Sequence, residues 1–328
     1  MRAIAIRPAA PGGPEVMIPT EVELPPAPAA GQVRVRVRFA GVNFIDTYQR
    51  SGAYKLPVPL LLGQEGTGEV EQLGAGIDPA LLLEVGTRVA WTGVMGSYAT
   101  HVDAPAERLV VVPPALGLEQ AAAAMLQGMT AHYLARSTFT LGPGHRCLIH
   151  AAAGGVGQLL SQLAHAAGAE VLGTVSSDAK AELARAAGCD HAIRYDRDDV
   201  VAEVRRLTGG TGVDVVYDSV GKDTFARSLD CLRVRGMLVL FGQASGAVPP
   251  VDLQVLAQKG SLYVTRPTLA HFTATRGELV ARAGEVMSAV AAGTLRLRIE
   301  RVLPLADAAE AHRLLASRAT TGKLLLST

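Results

Sequence analysis

Residues 32–39, QVRVRVRF, alternate valine and arginine without a break, the period-two pattern of a strand with one apolar and one wet face. Residues 69–73 and 87–91 read as further short strands between Gly- and Pro-containing turns. Several such strands in succession predict a barrel-like or sandwich domain. The pattern changes near Gly117. Residues 118–138 are alanine-rich, nearly free of β-branching, and predict one or two helices. From Arg146 onward, apolar runs alternate with helical periods. Strands are expected at 147–150, 170–175, 191–194, 213–217 and 236–241; helices start at Gly155 and Asp178, span 199–208, and follow Asp223. This alternation implies an α/β fold with a parallel sheet wound on both faces. A helix over 277–292, a strand and a final helix over 306–317 lie beyond that repeat, placed so that they could return to the first domain.

A length of 328 residues suits two domains, and a composition of 49% hydrophobic and 19% charged residues is that of a globular chain. Thirty-one basic residues against 30 acidic ones leave a net charge of +1. That balance gives no basic field for nucleic acid and no polybasic membrane anchor. The opening MRAIAIRPAAPGG has no apolar core, and no run of about 18 apolar residues occurs, so cytoplasm is the expected address. Cys147, Cys189 and Cys231 are odd in number and widely spaced, with no Cys or His at ligand spacing. Neither a disulfide framework nor a cysteine metal site is expected.

The strongest local signal is RCLIHAAAGGVGQLLSQLAHAAG, beginning at Arg146. A short apolar strand runs into Ala152-x-Gly154-x-x-Gly157 and then into a helix whose Val156, Leu159, Leu160, Leu163, Ala164 and Ala167 share helical spacing. Small residues let the backbone approach a pyrophosphate, whose charge is favoured at the helix N-terminus. Ala152 replaces the usual first glycine, but strand, loop, helix and second strand follow in the required order. The second strand bears on which dinucleotide fits. An NAD site normally ends it with an acid that accepts from the ribose 2′-OH. Here it runs into Thr174-Val175-Ser176-Ser177, with Lys180 soon after, and a hydroxyl with a cation suits a 2′-phosphate. Asp178 is the objection to that reading, unless it serves to cap the helix, and Lys180 alone also fits an ordinary solvated lysine.

Residues 41–54 (GVNFIDTYQRSGAY), the AAAGGVG loop and the end of the chain together resemble the quinone oxidoreductases. These are zinc-independent members of the medium-chain dehydrogenase/reductase superfamily, which includes zeta-crystallin. VYDSVG at 216–221, GSLYVTRP at 260–267 and SRATTG at 317–322 add to a likeness that covers essentially the whole chain. Zinc enzymes of the superfamily place a Cys in the segment matching GVNFID and a His before the Glu of a Gly-His-Glu motif. Here Asn43 and Gln64 stand instead, neither of them a good zinc ligand, and no metal site is expected. The resemblance implies a GroES-like domain over 1–122, a Rossmann domain over 123–266 and a C-terminal return over 267–328, with active site and cofactor in the cleft.

Positions matching the family's cofactor contacts are Thr130, Gly154, Gly155, Val156 and Gly157, then Ser176, Lys180 and Tyr195, then Phe241, Gly242, Thr265 and Arg318. Ser176, Lys180, Tyr195 and Arg318 would surround a 2′-phosphate, which agrees with the residue-level reading and makes NADPH the expected cofactor. Asn43, Asp46, Tyr48 and Tyr54 would line the nicotinamide and substrate end. Asn43 and Asp46 also fit a plain turn, and Tyr48 and Tyr54 fit core aromatics with a hydrogen-bonded tip. As a proton donor, a phenol with an ordinary pKa of about 10 is a poor acid at neutral pH. Gln64, Glu65 and His150 read as structural rather than catalytic. Without metal, the protein would act by positioning an electron-poor acceptor, a small quinone or an enone, against the cofactor. Asn43, a tyrosine hydroxyl or water would then meet the developing oxyanion. A double-bond reductase is the near alternative, and a non-catalytic crystallin-like or RNA-binding protein the distant one. The resemblance further implies a homodimer or homotetramer joined edge to edge, with 260–266 as the edge, and neither a nucleic-acid nor a membrane partner.

Overall fold

The valine–arginine strand extends over Gln32–Val42, and its three alternating valines, Val33, Val35 and Val37, are fully buried. Its opposite face is less wet than the alternation predicts. Arg36 and Arg38 reach Glu71 and Glu69 near the surface, but Arg34 is buried, forked onto Asp103 through Nε and Nη2 at 2.8 Å each. The strand His101–Pro105 lies alongside and supplies that carboxylate, so an arginine at a wet-face position becomes a buried, bidentate pair.

The computed structural model describes residues 1–328, which form two units: Met1–Met129 with Thr273–Thr328, and Thr130–Phe272. In the first unit the sheet runs in the order Ile299–Pro304, Lys323–Ser327, Gln32–Val42, Glu65–Leu73, Arg88–Thr92, Val110–Val111, with His101–Pro105 paired to the central strand. Its last strand is woven in beside the first part of the chain, Leu325 opposite Gly41. That pairing brings the C-terminus against residues 41–43. One apolar core packs Ile6, Val42, Leu60 and Leu62 with Leu315, Leu324 and Leu326; a second surrounds Val33, Val35, Val89 and Trp91.

The second unit holds a six-stranded, all-parallel sheet in the order His191–Arg194, Glu170–Val175, Arg146–Ile149, Val213–Asp218, Leu232–Leu240, Tyr263–Thr265. The order reverses direction between Arg146–Ile149 and Val213–Asp218, the doubly wound arrangement whose switch point opens a crevice at the strands' carboxyl ends. The Gly155–Ala166 helix follows directly from that point. It packs Leu159, Leu160 and Ala164 inward as the spacing predicts, but also buries Gln158 and Ser161. Those two satisfy themselves locally, on Ala153 O at 2.8 Å and Gly157 O at 2.9 Å. The alanine-rich stretch is one α-helix, Leu118–Tyr133, closed by a short π-helical turn over Leu134–Thr138.

Candidate active site

At the glycine loop the chain comes off the strand at buried His150 and turns through Ala151, whose φ of 53° is left-handed. Gly154 N donates to Ala151 O at 2.8 Å, closing a tight turn, and Gly154 is the N-cap of the next helix without any side-chain cap. A Cβ on Gly157 would stand 2.3 Å from Ala151 O and 2.8 Å from the Ala152 Cα, both backbone atoms that cannot step aside. Gly157 is thus required by contact with the loop itself. Gly155, Val156 and Gly157 form the helix's first turn, so the positive end of the helix is presented through small residues.

His150 has a defined place beside this loop. Ser228 Oγ donates to Asp218 Oδ2 at 2.9 Å and so accepts from His150 Nε2 at 3.0 Å, leaving Nδ1 to accept from Thr174 Oγ1 at 3.0 Å. Burial lowers the His150 pKa, against the pull of Asp218, which keeps the ring neutral. The imidazole has both nitrogens occupied and acts as a tie between the loop strand and its neighbours.

The ends of Glu170–Val175 and His191–Arg194 lie side by side, with Val175 opposite Arg194. Ser176 follows the first strand and half-exposed Tyr195 the second, its N–H donating to Val175 O at 3.2 Å. Ser177, not Asp178, caps the following Asp178–Ala186 helix, accepting from Lys180 N at 3.2 Å. Asp178, the first helical residue, is turned toward Arg194 at 2.5 Å. The structure therefore brings Ser176, Lys180 and Tyr195 to one corner. Arg318, just past the Ala308–Ala316 helix with φ of 59°, belongs to the first unit. Phe241 and Gly242 follow Leu232–Leu240 and both donate to Asp218 O; a Cβ on Gly242 would meet Ser219 O at 2.5 Å. Thr265 ends the edge strand Tyr263–Thr265, and Thr130 is buried in the Leu118–Tyr133 helix.

In the first unit Asn43 caps the short helix Phe44–Arg50, and its backbone N–H donates to Asp46 Oδ2 at 2.8 Å, the reciprocal arm of a capping box. The Asn43 side chain is committed as well. Nδ2 donates to Glu65 Oε2 at 2.8 Å and to Gly41 O at 3.3 Å, while Oδ1 accepts from Lys323 Nζ at 2.7 Å. Lys323 also pairs with Glu65 Oε2 at 2.5 Å, and the two side chains are 2% and 0% exposed. Glu65 Oε1 accepts from Leu126 N at 2.5 Å. Burial pushes the Asp46 carboxyl up to about 7, although its two hydrogen bonds and Lys323 favour the charged form. Tyr98 supplies one of those bonds at 2.9 Å, while Asp46 Oδ1 is buried without a partner.

Behind Tyr98 the chain of bonds continues to His312 Nε2 at 3.2 Å and from His312 Nδ1 to Arg50 Nη1 at 3.2 Å. A guanidinium can only donate, so Nδ1 accepts, Nε2 carries the proton, and the sequence Arg50, His312, Tyr98, Asp46 has a single direction. Burial and Arg50 push the His312 pKa down to about 3. Tyr48 and Tyr54, both half-buried, meet edge to face with centroids 5.4 Å apart.

Residues 29–114 match the model described as the alcohol dehydrogenase GroES-like domain, and residues 155–281 match that of zinc-binding dehydrogenases. Quinone oxidoreductase of Pseudomonas aeruginosa is 49% identical, with 97% of each chain covered. This chain belongs to the quinone oxidoreductase family of the medium-chain dehydrogenases/reductases. The structure of the Escherichia coli quinone oxidoreductase complexed with NADPH superposes with a TM-score of 0.94 at 43% identity, covering all of both chains. A 2-haloacrylate reductase of a Burkholderia species is 43% identical, with 96% of each chain covered.

Several members of the polar centre around Asn43 escape a reading of the sequence. Lys323 stands in TGKLLLST as an unremarked lysine before an apolar strand, and only strand pairing brings it to Glu65. His312 has a usable signal, since it shares the inward helical face of Ala308, Ala311 and Leu315. Arg194 lies one residue before Tyr195, and its role depends on Asp178 of the neighbouring strand–helix connection.

Proposed function

We propose that this chain is an NADPH-dependent quinone reductase that works without zinc. The observation that carries the reading is the loop at Gly154–Gly157, closed so tightly on Ala151 that only backbone fits there, with a helix N-terminus behind it. The similar Escherichia coli quinone oxidoreductase, whose structure is a complex with NADPH, agrees with it. Gly154, Gly155, Val156 and Gly157 would hold the pyrophosphate, with Thr130, Phe241, Gly242 and Thr265 along the rest of the dinucleotide. Ser176, Lys180, Tyr195 and Arg318 would take the 2′-phosphate. When bound, NADPH supplies the hydride.

Asn43 and Asp46 hold the acceptor end in shape, and Tyr48 and Tyr54 offer it an aromatic wall. Asn43 sends its amide protons to Glu65 and Gly41, so its contribution is to fix the surface rather than to donate outward. The donor chemistry supports zinc independence. At the place where a zinc enzyme carries Cys and His, this chain carries Asn43, Gln64 and the ammonium of Lys323, a cation that would repel a second one. A quinone needs no Lewis acid, because it is already a good electrophile. The likeness to a 2-haloacrylate reductase favours one second reading, reduction of an activated double bond in the same site.

The reading includes a cytoplasmic setting, in keeping with three free, buried thiols. No helix is long and apolar enough to cross a membrane. It also includes a homodimer or homotetramer, for which the exposed Tyr263 and Val264 on the edge strand offer a joining surface. The test is oxidation of NADPH after exhaustive chelation, with 1,4-benzoquinone, 2-chloroacrylate and an alkenal as acceptors. Turnover fastest with the quinone is expected. Turnover confined to the alkenes would shift the assignment to double-bond reduction, and none without added zinc would overturn it.

A further inference from the structure

The acid that spoke against a 2′-phosphate in the sequence, Asp178, is engaged in the structure. Its Oδ1 lies 2.5 Å from Arg194 Nη1 and 3.9 Å from Arg197 Nη1. Arg194 is held by more than this contact, because its Nε and Nη2 fork onto Asp196 at 2.8 and 2.7 Å. Its side chain is only 13% exposed, whereas that of Asp178 is 78% exposed. A planar guanidinium fixed on one carboxylate presents its remaining edge to the other. The corner where Ser176, Lys180 and Tyr195 meet thus contains three acids, Asp178, Asp196 and Asp198, balanced by Arg194, Arg197 and Lys180. Without Arg194 it would be net negative, with its outermost carboxylate left only the longer contact to Arg197. So exposed a pair adds little to stability, which leaves its charge to act on what binds at the corner.

We infer that Arg194 is a specificity-determining residue: by engaging Asp178 it converts a corner that would favour a ribose 2′-hydroxyl into one that accepts a 2′-phosphate. This rests on the NADPH reading and assigns a part of it to a residue outside Ser176, Lys180, Tyr195 and Arg318. Asp178 has the chemistry of the acid that normally selects NAD, and it opens the helix that follows the strand end. Arg194 cancels that preference from the adjacent strand.

The experiment is a fluorescence titration of NADPH and NADH binding to the wild type, Arg194→Gln, Asp178→Asn and the double variant. Arg194→Gln should weaken NADPH about tenfold, equivalent to about 1.4 kcal/mol, with NADH little changed. The double variant should regain most of that loss, because the carboxylate that Arg194 restrains is gone. Asp178→Asn alone, at an exposed position that leaves the fold intact, should tighten NADPH relative to NADH. It keeps the test alive if Arg194→Gln misfolds. An unchanged NADPH-to-NADH ratio in Arg194→Gln overturns the inference, as does a double variant as weak as the single one, since Arg194 would then act on the phosphate directly. A wild type with no preference for NADPH sinks the underlying cofactor reading instead, and the two failures are told apart by that first titration.

Discussion

Around Gly157 the candidate binding surface is backbone, while around Asn43 the polar centre is built mainly of side chains, most of them brought from distant parts of the chain. The loop from Ala151 to Gly157 needs seven consecutive residues and two local contacts to take its shape. The centre in the first unit needs Asn43, Glu65, Tyr98, His312 and Lys323, drawn from a helix cap, two strands, an inter-strand connection and the C-terminal helix. The difference has energetic consequences. A backbone cradle fails only if something fills it, whereas a buried polar cluster fails when any one member leaves a charge without its partner.

The largest effect is therefore expected in the buried centre. Lys323→Met leaves the Glu65 carboxylate buried and unpaired, and unfolding in urea should show a loss of about 3–5 kcal/mol. Adding Glu65→Gln should recover most of it, because a neutral amide keeps its oxygen on Leu126 N and, once Asn43 turns its side-chain amide over, donates from Nε2 to the Asn43 Oδ1 that Lys323 has vacated. If the double variant is as unstable as the single one, the pair is not the source of the loss.

In the loop, Gly157→Val drives a side chain into Ala151 O and Ala152 Cα. Dinucleotide affinity should fall more than about 100-fold, or about 2.7 kcal/mol, by the same titration. The folded unit should survive at low temperature, since its sheet and core lie elsewhere. Affinity within a few-fold of wild type would show that the loop has room the geometry denies.

The same contrast explains what can be read from the sequence. The alternating strands and helices, the loop and the missing acid at the end of Glu170–Val175 are local patterns, and each is legible because its meaning is settled by near neighbours in the chain. The β-rich character of the first unit is likewise visible in the valine–arginine alternation, but the burial of Arg34 is not, because its partner Asp103 arrives from another strand. Asn43 and Asp46 can be singled out only by resemblance. Their hydrogen bonds to Lys323 and Tyr98 depend on how far-separated strands and helices assemble. Ser177 is the helix cap because it holds the extended conformation before the first helical residue, Asp178, whose carboxylate is left to pair with Arg194.

A smaller effect sharpens the picture of the buried centre through pH. Burial raises the Asp46 carboxyl from 3.8 to about 7, so the folded state binds a proton that the unfolded state releases, and stability falls as pH rises from about 4 to about 7. His312 works in the opposite direction. Its pKa is lowered from 6.5 to about 3, so its contribution is complete above 6.5 and is lost as pH falls toward 3. The two slopes oppose each other between about 4 and 6.5. Asp46→Asn removes one of them and should turn a nearly flat profile into one that rises with pH up to about 6.5. The variant should gain on the wild type by at least about 1.4 kcal/mol between pH 5 and 8 in urea midpoints, the worth of one pKa unit. Parallel profiles for the two proteins would mean that Asp46 stays charged throughout.

The smallest effect is expected at the tyrosine pair, where the backbone-built and side-chain-built descriptions meet a third possibility, chemistry. Tyr48 and Tyr54 touch edge to face at 5.4 Å, a geometry worth about 0.5–1.5 kcal/mol for the rings themselves. Tyr54→Phe keeps that contact and removes only the hydroxyl; Tyr54→Leu removes the ring as well. A reduced quinone can take its protons from water, so turnover with 1,4-benzoquinone should fall less than about tenfold in Tyr54→Phe, below about 1.4 kcal/mol on the barrier. Tyr54→Leu should lose more, and mainly through KM, because the wall that orients the acceptor is gone. A loss in kcat that is already complete in Tyr54→Phe, with a changed pH profile, would make the hydroxyl a proton donor and move this tyrosine from wall to catalyst.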